Sequence, residues 1–122
     1  MMKTLQQDYD YLAPDGSEIR LLAGINKAGL CHCSLPVGKT SIAVKHKTVI
    51  ELWYFLEGEG ELWKKTGELE DIIKVHAGVS LVLESGVSFQ FRNLGQIPLK
   101  FVIATVPNWP GHDEAEIVFG KF

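Results

Sequence analysis

No stretch of this 122-residue sequence is apolar for anything near the ~20 residues that a membrane-spanning helix requires. Its start, MMKTLQQDYDYLAPDG, is polar and acidic and lacks the apolar segment of a secretory leader, so the expectation is a soluble, cytoplasmic protein with no membrane partner. Cysteine is scarce. Cys31 and Cys33 are the only two, and alternate residues of one extended strand are poorly placed to bridge each other, which argues for free thiols in a reducing compartment rather than a disulfide scaffold. Positive charge is also in short supply: 12 Lys and Arg against 15 Asp and Glu give a net charge of −3, which argues against a nucleic-acid or anionic-membrane partner. A small neutral or cationic ligand is equally permitted. Finally, no segment sustains a 3.6-residue apolar period, which removes the helical fold classes; the one helical turn suggested lies at Asp113–Glu116. There is no internal repeat and no low-complexity tract.

What the chain does contain is turn chemistry at short intervals. Pro14-Asp15-Gly16, Pro36-Val37-Gly38, Gly58-Glu59-Gly60, Gly67, Ala77-Gly78, Ser85-Gly86, Asn93-Leu94-Gly95, Pro98 and Pro107 separate short segments rich in β-branched and aromatic residues. That is the pattern of an all-β sandwich or barrel. Strands are predicted near residues 17–23, 29–35, 40–46, 50–57, 60–66, 69–76, 79–84, 87–93 and 99–106, within a single domain spanning 1–122. Period-two alternation then assigns faces. Phe89 and Phe91, with Phe101 and Ile103, point inward. Along 50–57 both rows are apolar apart from Glu51, so Leu52, Tyr54 and Leu56 form an outer row that needs covering, and a twofold homodimer is the commonest way to cover it.

Two spaced patterns stand out. Gly38, Val44, His46, Glu51 and Gly58 occur over residues 38–58 with intervals of five, one, four and six; Gly78, Glu84, Gly86, Phe89 and Asn93 occur over 78–93 with intervals of five, one, two and three. At every interval these resemble the paired motifs of the cupin superfamily, in particular its small single-domain bacterial members. The resemblance implies an antiparallel double-stranded β-helix, or jelly-roll barrel, and it favours a homodimer. Three side chains depart from the family pattern: Val44 and Phe89 stand where histidines are usual, and Glu84 where proline is.

In that family, three histidines and a glutamate converge on a divalent metal inside the barrel. Carried over by position, the resemblance implies that His46 and Glu51 are what is left of this set, because valine and phenylalanine coordinate nothing. Imidazole and carboxylate suit metals such as zinc, manganese, iron or nickel. Two ligands alone hold such an ion weakly, and His32, on the preceding strand, is the strongest substitute ligand, ahead of Cys31, Cys33, His76 and His112. Three readings of His46 and Glu51 stay open: a metal site completed by His32, a metal-free catalytic pair, and a buried polar pair that merely satisfies itself. The expected pocket is lined by Val44, Trp53, Phe55, Phe89 and Phe91 around that pair. An imidazole beside a carboxylate in an apolar concavity is a general acid and base, so the functional expectation is a small-molecule-binding protein with isomerase, cyclase or lyase activity. The alternative is a non-catalytic ligand-sensing or storage module.

Overall fold

A computed structural model describes residues 1–122, except for the side chain of His112. Eleven strands follow one another: β1 (Tyr11–Leu12), β2 (Glu18–Ile25), β3 (Ala28–Leu35), β4 (Val44–His46), β5 (Ile50–Glu57), β6 (Glu59–Thr66), β7 (Leu69–His76), β8 (Ser80–Leu83), β9 (Ser88–Asn93), β10 (Leu99–Val106) and β11 (Ala115–Ile117), with one 3-10 turn at His112–Glu114. All pair antiparallel in two sheets, ordered β1-β2-β3-β10-β5-β8 and β11-β4-β9-β6-β7. The sheets close face to face over a core of alternating inward side chains, as the period-two pattern predicts. No helix among the described residues is long and apolar enough to cross a membrane.

The core is aromatic. Trp53 stacks on Phe101 with centroids 4.4 Å apart, and Phe91 meets both rings edge-on at 5.3 and 5.5 Å. Offset and edge-on contacts of this kind add to what area burial alone contributes. Phe89, Phe91, Phe101 and Ile103 are all buried, as their alternation requires. The motif residues at the barrel's closed end are structural. Gly58 has φ +89, and a Cβ there would lie 2.8 Å from the Pro98 carbonyl oxygen, so only glycine fits between β5 and β6. Asn93 donates through Nδ2 to the carbonyls of Leu35 and Ile97 and accepts from Gly95 N, which ties three chain segments together.

Two predicted boundaries shift for physical reasons. The strand expected over 40–46 is regular only at Val44–His46, because Ser41 interrupts the ladder: its side-chain Oγ, rather than a carbonyl, accepts the Phe91 N–H. The tail expected to hold one helical turn instead makes the 3-10 turn and then β11, which pairs with β4. On the outer face of the six-stranded sheet Leu52, Tyr54 and Leu56 stand exposed at 49%, 50% and 40%. Val82 and Leu30 extend that apolar surface.

Candidate functional site

A cavity of about 60 Å3 opens between the sheets at the end opposite Gly58. Strands β3, β4, β5 and β9 each send alternate residues into it, so Cys31 and Cys33, Val44 and His46, Glu51 and Trp53, and Phe89 and Phe91 all line it. Tyr11 and the Pro14–Ser17 turn form one wall, and Asn108 and Trp109 another.

Glu51 is 5% exposed. Its Oε1 accepts the Trp53 indole N–H at 2.8 Å, while Oε2 has no hydrogen-bond partner among the described residues. Burial pushes its carboxyl up to about 8, and the neighbouring charges of Asp15 and Glu114 act in the same direction against the Trp53 bond. His46, 6% exposed, is held by ring contacts instead: it meets Phe89 edge-on at 5.2 Å and Trp109 at 5.1 Å. Burial drives its pKa down to about 4, opposed by the charge of Glu114. At neutral pH the cavity therefore presents a protonated carboxyl and an uncharged imidazole. The two line one cavity, but no hydrogen bond joins them.

Trp109 reaches His46 because the tail is anchored beside it. The Glu114 carboxylate accepts from the backbone N–H of Thr48 at 2.8 Å and of Val49 at 3.2 Å, and from the Thr48 hydroxyl. Lys47 N in turn donates to the Glu114 carbonyl. Although burial opposes it, this set of donors holds the Glu114 carboxyl below the usual carboxylate range.

Two expected site residues lie elsewhere. His32 is on β3 between Cys31 and Cys33, and the alternation that turns the cysteines inward turns His32 to the outer face, opposite Arg20 and Val102. There its Nδ1 is buried without a partner. Phe55 sits one layer deeper than the cavity, fully buried against Phe101 at 4.7 Å and Trp53 at 6.0 Å, because it is two residues further along β5 toward the closed end. His76 lies on the exposed β7, remote from the cavity, and the His112 side chain lies outside the described residues. With His32 turned away, no group of three or more His, Cys, Asp or Glu side chains among the described residues is placed to hold an ion. Burial pushes the Cys31 thiol up to about 12 and Cys33 well above its ordinary value, so without an ion both stay protonated.

The family model for the cupin domain matches residues 31–105, which take in both spaced patterns and the strands that carry the cavity. The chain is a cupin. Along nearly its whole length it is also 30% identical, over 126 residues, to an uncharacterised protein of Methanocaldococcus jannaschii, covering 96% of this cupin and 97% of that protein. Among solved structures it resembles a double-stranded β-helix protein from Klebsiella pneumoniae, with a TM-score of 0.71 at 18% identity, covering 91% of this chain and 93% of the other. It also resembles a predicted oxalate decarboxylase from Thermotoga maritima, with a TM-score of 0.65 at 26% identity, covering 75% and 80%. This cupin keeps the family's barrel while placing Val44 and Phe89, which are Cα partners across β4 and β9, on the cavity wall beside His46.

The displaced pKa values predict how stability follows pH. Folded Glu51 keeps a proton that the unfolded chain has released, so its burial costs stability as pH rises from about 4.5 to about 8. His46, lowered from 6.5 to about 4, acts in the opposite sense but only below pH 6.5. Between pH 6.5 and 8 the Glu51 effect should dominate, and the unfolding free energy should fall with a slope approaching ~1.4 kcal/mol per pH unit. Urea midpoints across that interval should decline in the wild type and flatten in Glu51→Gln; equal slopes in the two proteins would contradict the assignment.

Proposed function

We propose that this cupin binds a small organic molecule in the cavity and relocates a proton on it, with Glu51 as the acid and His46 as the base and no resident metal in the step. The observation that carries this reading is the opposite displacement of two titratable groups in one apolar concavity. Environments that push paired pKa values apart assign the acid and the base, and both groups have unpartnered atoms free to meet a ligand. Isomerase, cyclase and lyase chemistry all need such a pair. The decarboxylase name carried by the Thermotoga maritima structure belongs to that protein. For this chain it supports only small-molecule chemistry in the same kind of barrel.

Deuterium incorporation tests the reading. A panel of small carbonyl compounds is incubated with the protein in D2O, and exchange next to the carbonyl is followed by NMR. Wild-type protein should catalyse exchange in at least one compound that binds, and His46→Ala and Glu51→Gln should each lower the rate by about 100-fold or more. Variants that exchange as fast as wild type would overturn the assignment. Binding with no exchange in the wild type would favour the non-catalytic ligand-sensing or storage role.

The exposed row Leu52, Tyr54 and Leu56 supports a second proposal, a homodimer formed through the outer face of the six-stranded sheet. Burying that row, with Leu30 and Val82 beside it, removes a run of exposed apolar side chains from water. Sedimentation at micromolar concentration should give twice the 13.6 kDa chain mass. A monomer that persists at that concentration would contradict it.

A further inference from the structure

The charge inside the cavity is one-sided. Of the side chains lining it, Asp15 and Glu51 are the two carboxyls, and no lysine or arginine is among them. The two carboxyls differ in what holds them. Asp15 accepts through Oδ1 from the Ser17 N–H at 2.9 Å and the Ser17 hydroxyl at 2.6 Å, bonds that favour its ionised form, and its Oδ2 has no hydrogen-bond partner among the described residues. Glu51 lies deeper and accepts one indole N–H. Burial raises both carboxyls; at Asp15 the two Ser17 bonds oppose that rise, and at Glu51 burial carries it to about 8 against a single indole bond.

Around these groups the wall is built of rings, with Tyr11 beside Asp15's turn, Trp53 in the floor and Trp109 at the mouth. A carboxylate backed by aromatic rings is the environment that stabilises an organic cation, through charge-assisted hydrogen bonds and the negative ring faces. An independent feature also points to a ligand here. The His46 ring is more than nine-tenths buried and lines the cavity, yet it has no hydrogen-bond partner among the described residues. As a neutral imidazole it offers a ring nitrogen lone pair to the ligand.

We infer that the ligand of this cavity carries a protonated amine, which Asp15 anchors near the mouth while Glu51 and His46 face the carbon skeleton beyond it. The inference rests on the reading of the cavity as a small-molecule site and adds the ligand's chemical class. It accounts for a feature that the acid–base pair leaves unused: a partly buried carboxylate with a vacant oxygen and no counter-ion on the cavity wall.

Three probes of the same shape test it. Isobutylamine, isobutanol and isobutyrate are titrated into the full-length protein at pH 7, and binding is read from the indole N–H resonances of Trp53 and Trp109. Isobutylamine should bind about tenfold or more tightly than isobutanol, and isobutyrate most weakly. Asp15→Asn, which keeps an acceptor for Ser17, should lower the amine affinity about tenfold and leave isobutanol unchanged. Should that variant fold poorly, the wild type gives the same information through salt: added NaCl should weaken the amine and not the alcohol. Isobutanol or isobutyrate binding as tightly as the amine would overturn the amine inference and leave the small-molecule reading standing, as would an unchanged amine affinity in Asp15→Asn. Indole resonances that respond to none of the three would overturn both.

Discussion

Everything particular to this cupin follows from placing a carboxyl and an imidazole where aromatic rings have displaced water. Trp53, Phe89, Phe91 and Trp109 line the cavity with Glu51 and His46. Desolvation penalises the charged form of each group, which raises the acid and lowers the base. A direct ion pair would have done the reverse, holding Glu51 ionised and His46 protonated. No hydrogen bond joins them: His46 is held edge-on between Phe89 and Trp109, and Glu51 Oε1 accepts from Trp53. The separation of the two groups is thus a product of packing, and it leaves each free to address a ligand.

The same packing thins the set of metal donors that the resemblance implies. A barrel that puts Val44 and Phe89 at histidine positions loses donors and gains hydrophobic wall in one change, lowering both the affinity for an ion and the polarity that an ion would need. What remains suits organic ligands better than cations of the first transition row. A protonated amine fits because it needs only one carboxylate and a set of rings, which this cavity retains.

The fold was legible in the sequence almost to the residue at β5, β7, β9 and β10, because alternation over a half-buried strand leaves one choice of face and turn glycines mark the ends. It was less so where a side chain replaces a backbone partner, as at Ser41, or where a short strand is recruited by a distant anchor, as β11 is through Glu114. The cavity was legible in part. Val44, His46, Glu51, Trp53, Phe89 and Phe91 follow from spacing and parity, whereas His32 was assigned to the cavity against its own parity: with Cys31 and Cys33 inward, period two turns it out. Tyr11, Asp15 and Trp109 come from the two-residue strand β1, a turn and a tail, segments too short or irregular for periodicity to govern. The Pro107-Asn108-Trp109-Pro110 segment was visible as stiff and aromatic, yet only the bonds from Thr48 and Val49 to Glu114 show that it closes over His46.

The division of acid and base depends on the ionisation states of two residues, and a site-resolved NMR titration of the ligand-free protein reads both at once. With 13C-labelled glutamate and 15N-labelled histidine, the Glu51 carboxyl should titrate with a midpoint near 8 and the His46 ring should remain neutral down to about pH 4. A Glu51 midpoint in the ordinary carboxylate range, together with a His46 that charges near 6.5, would show that the cavity is wet and polar, and would contradict the division of acid and base on which the proposed chemistry depends.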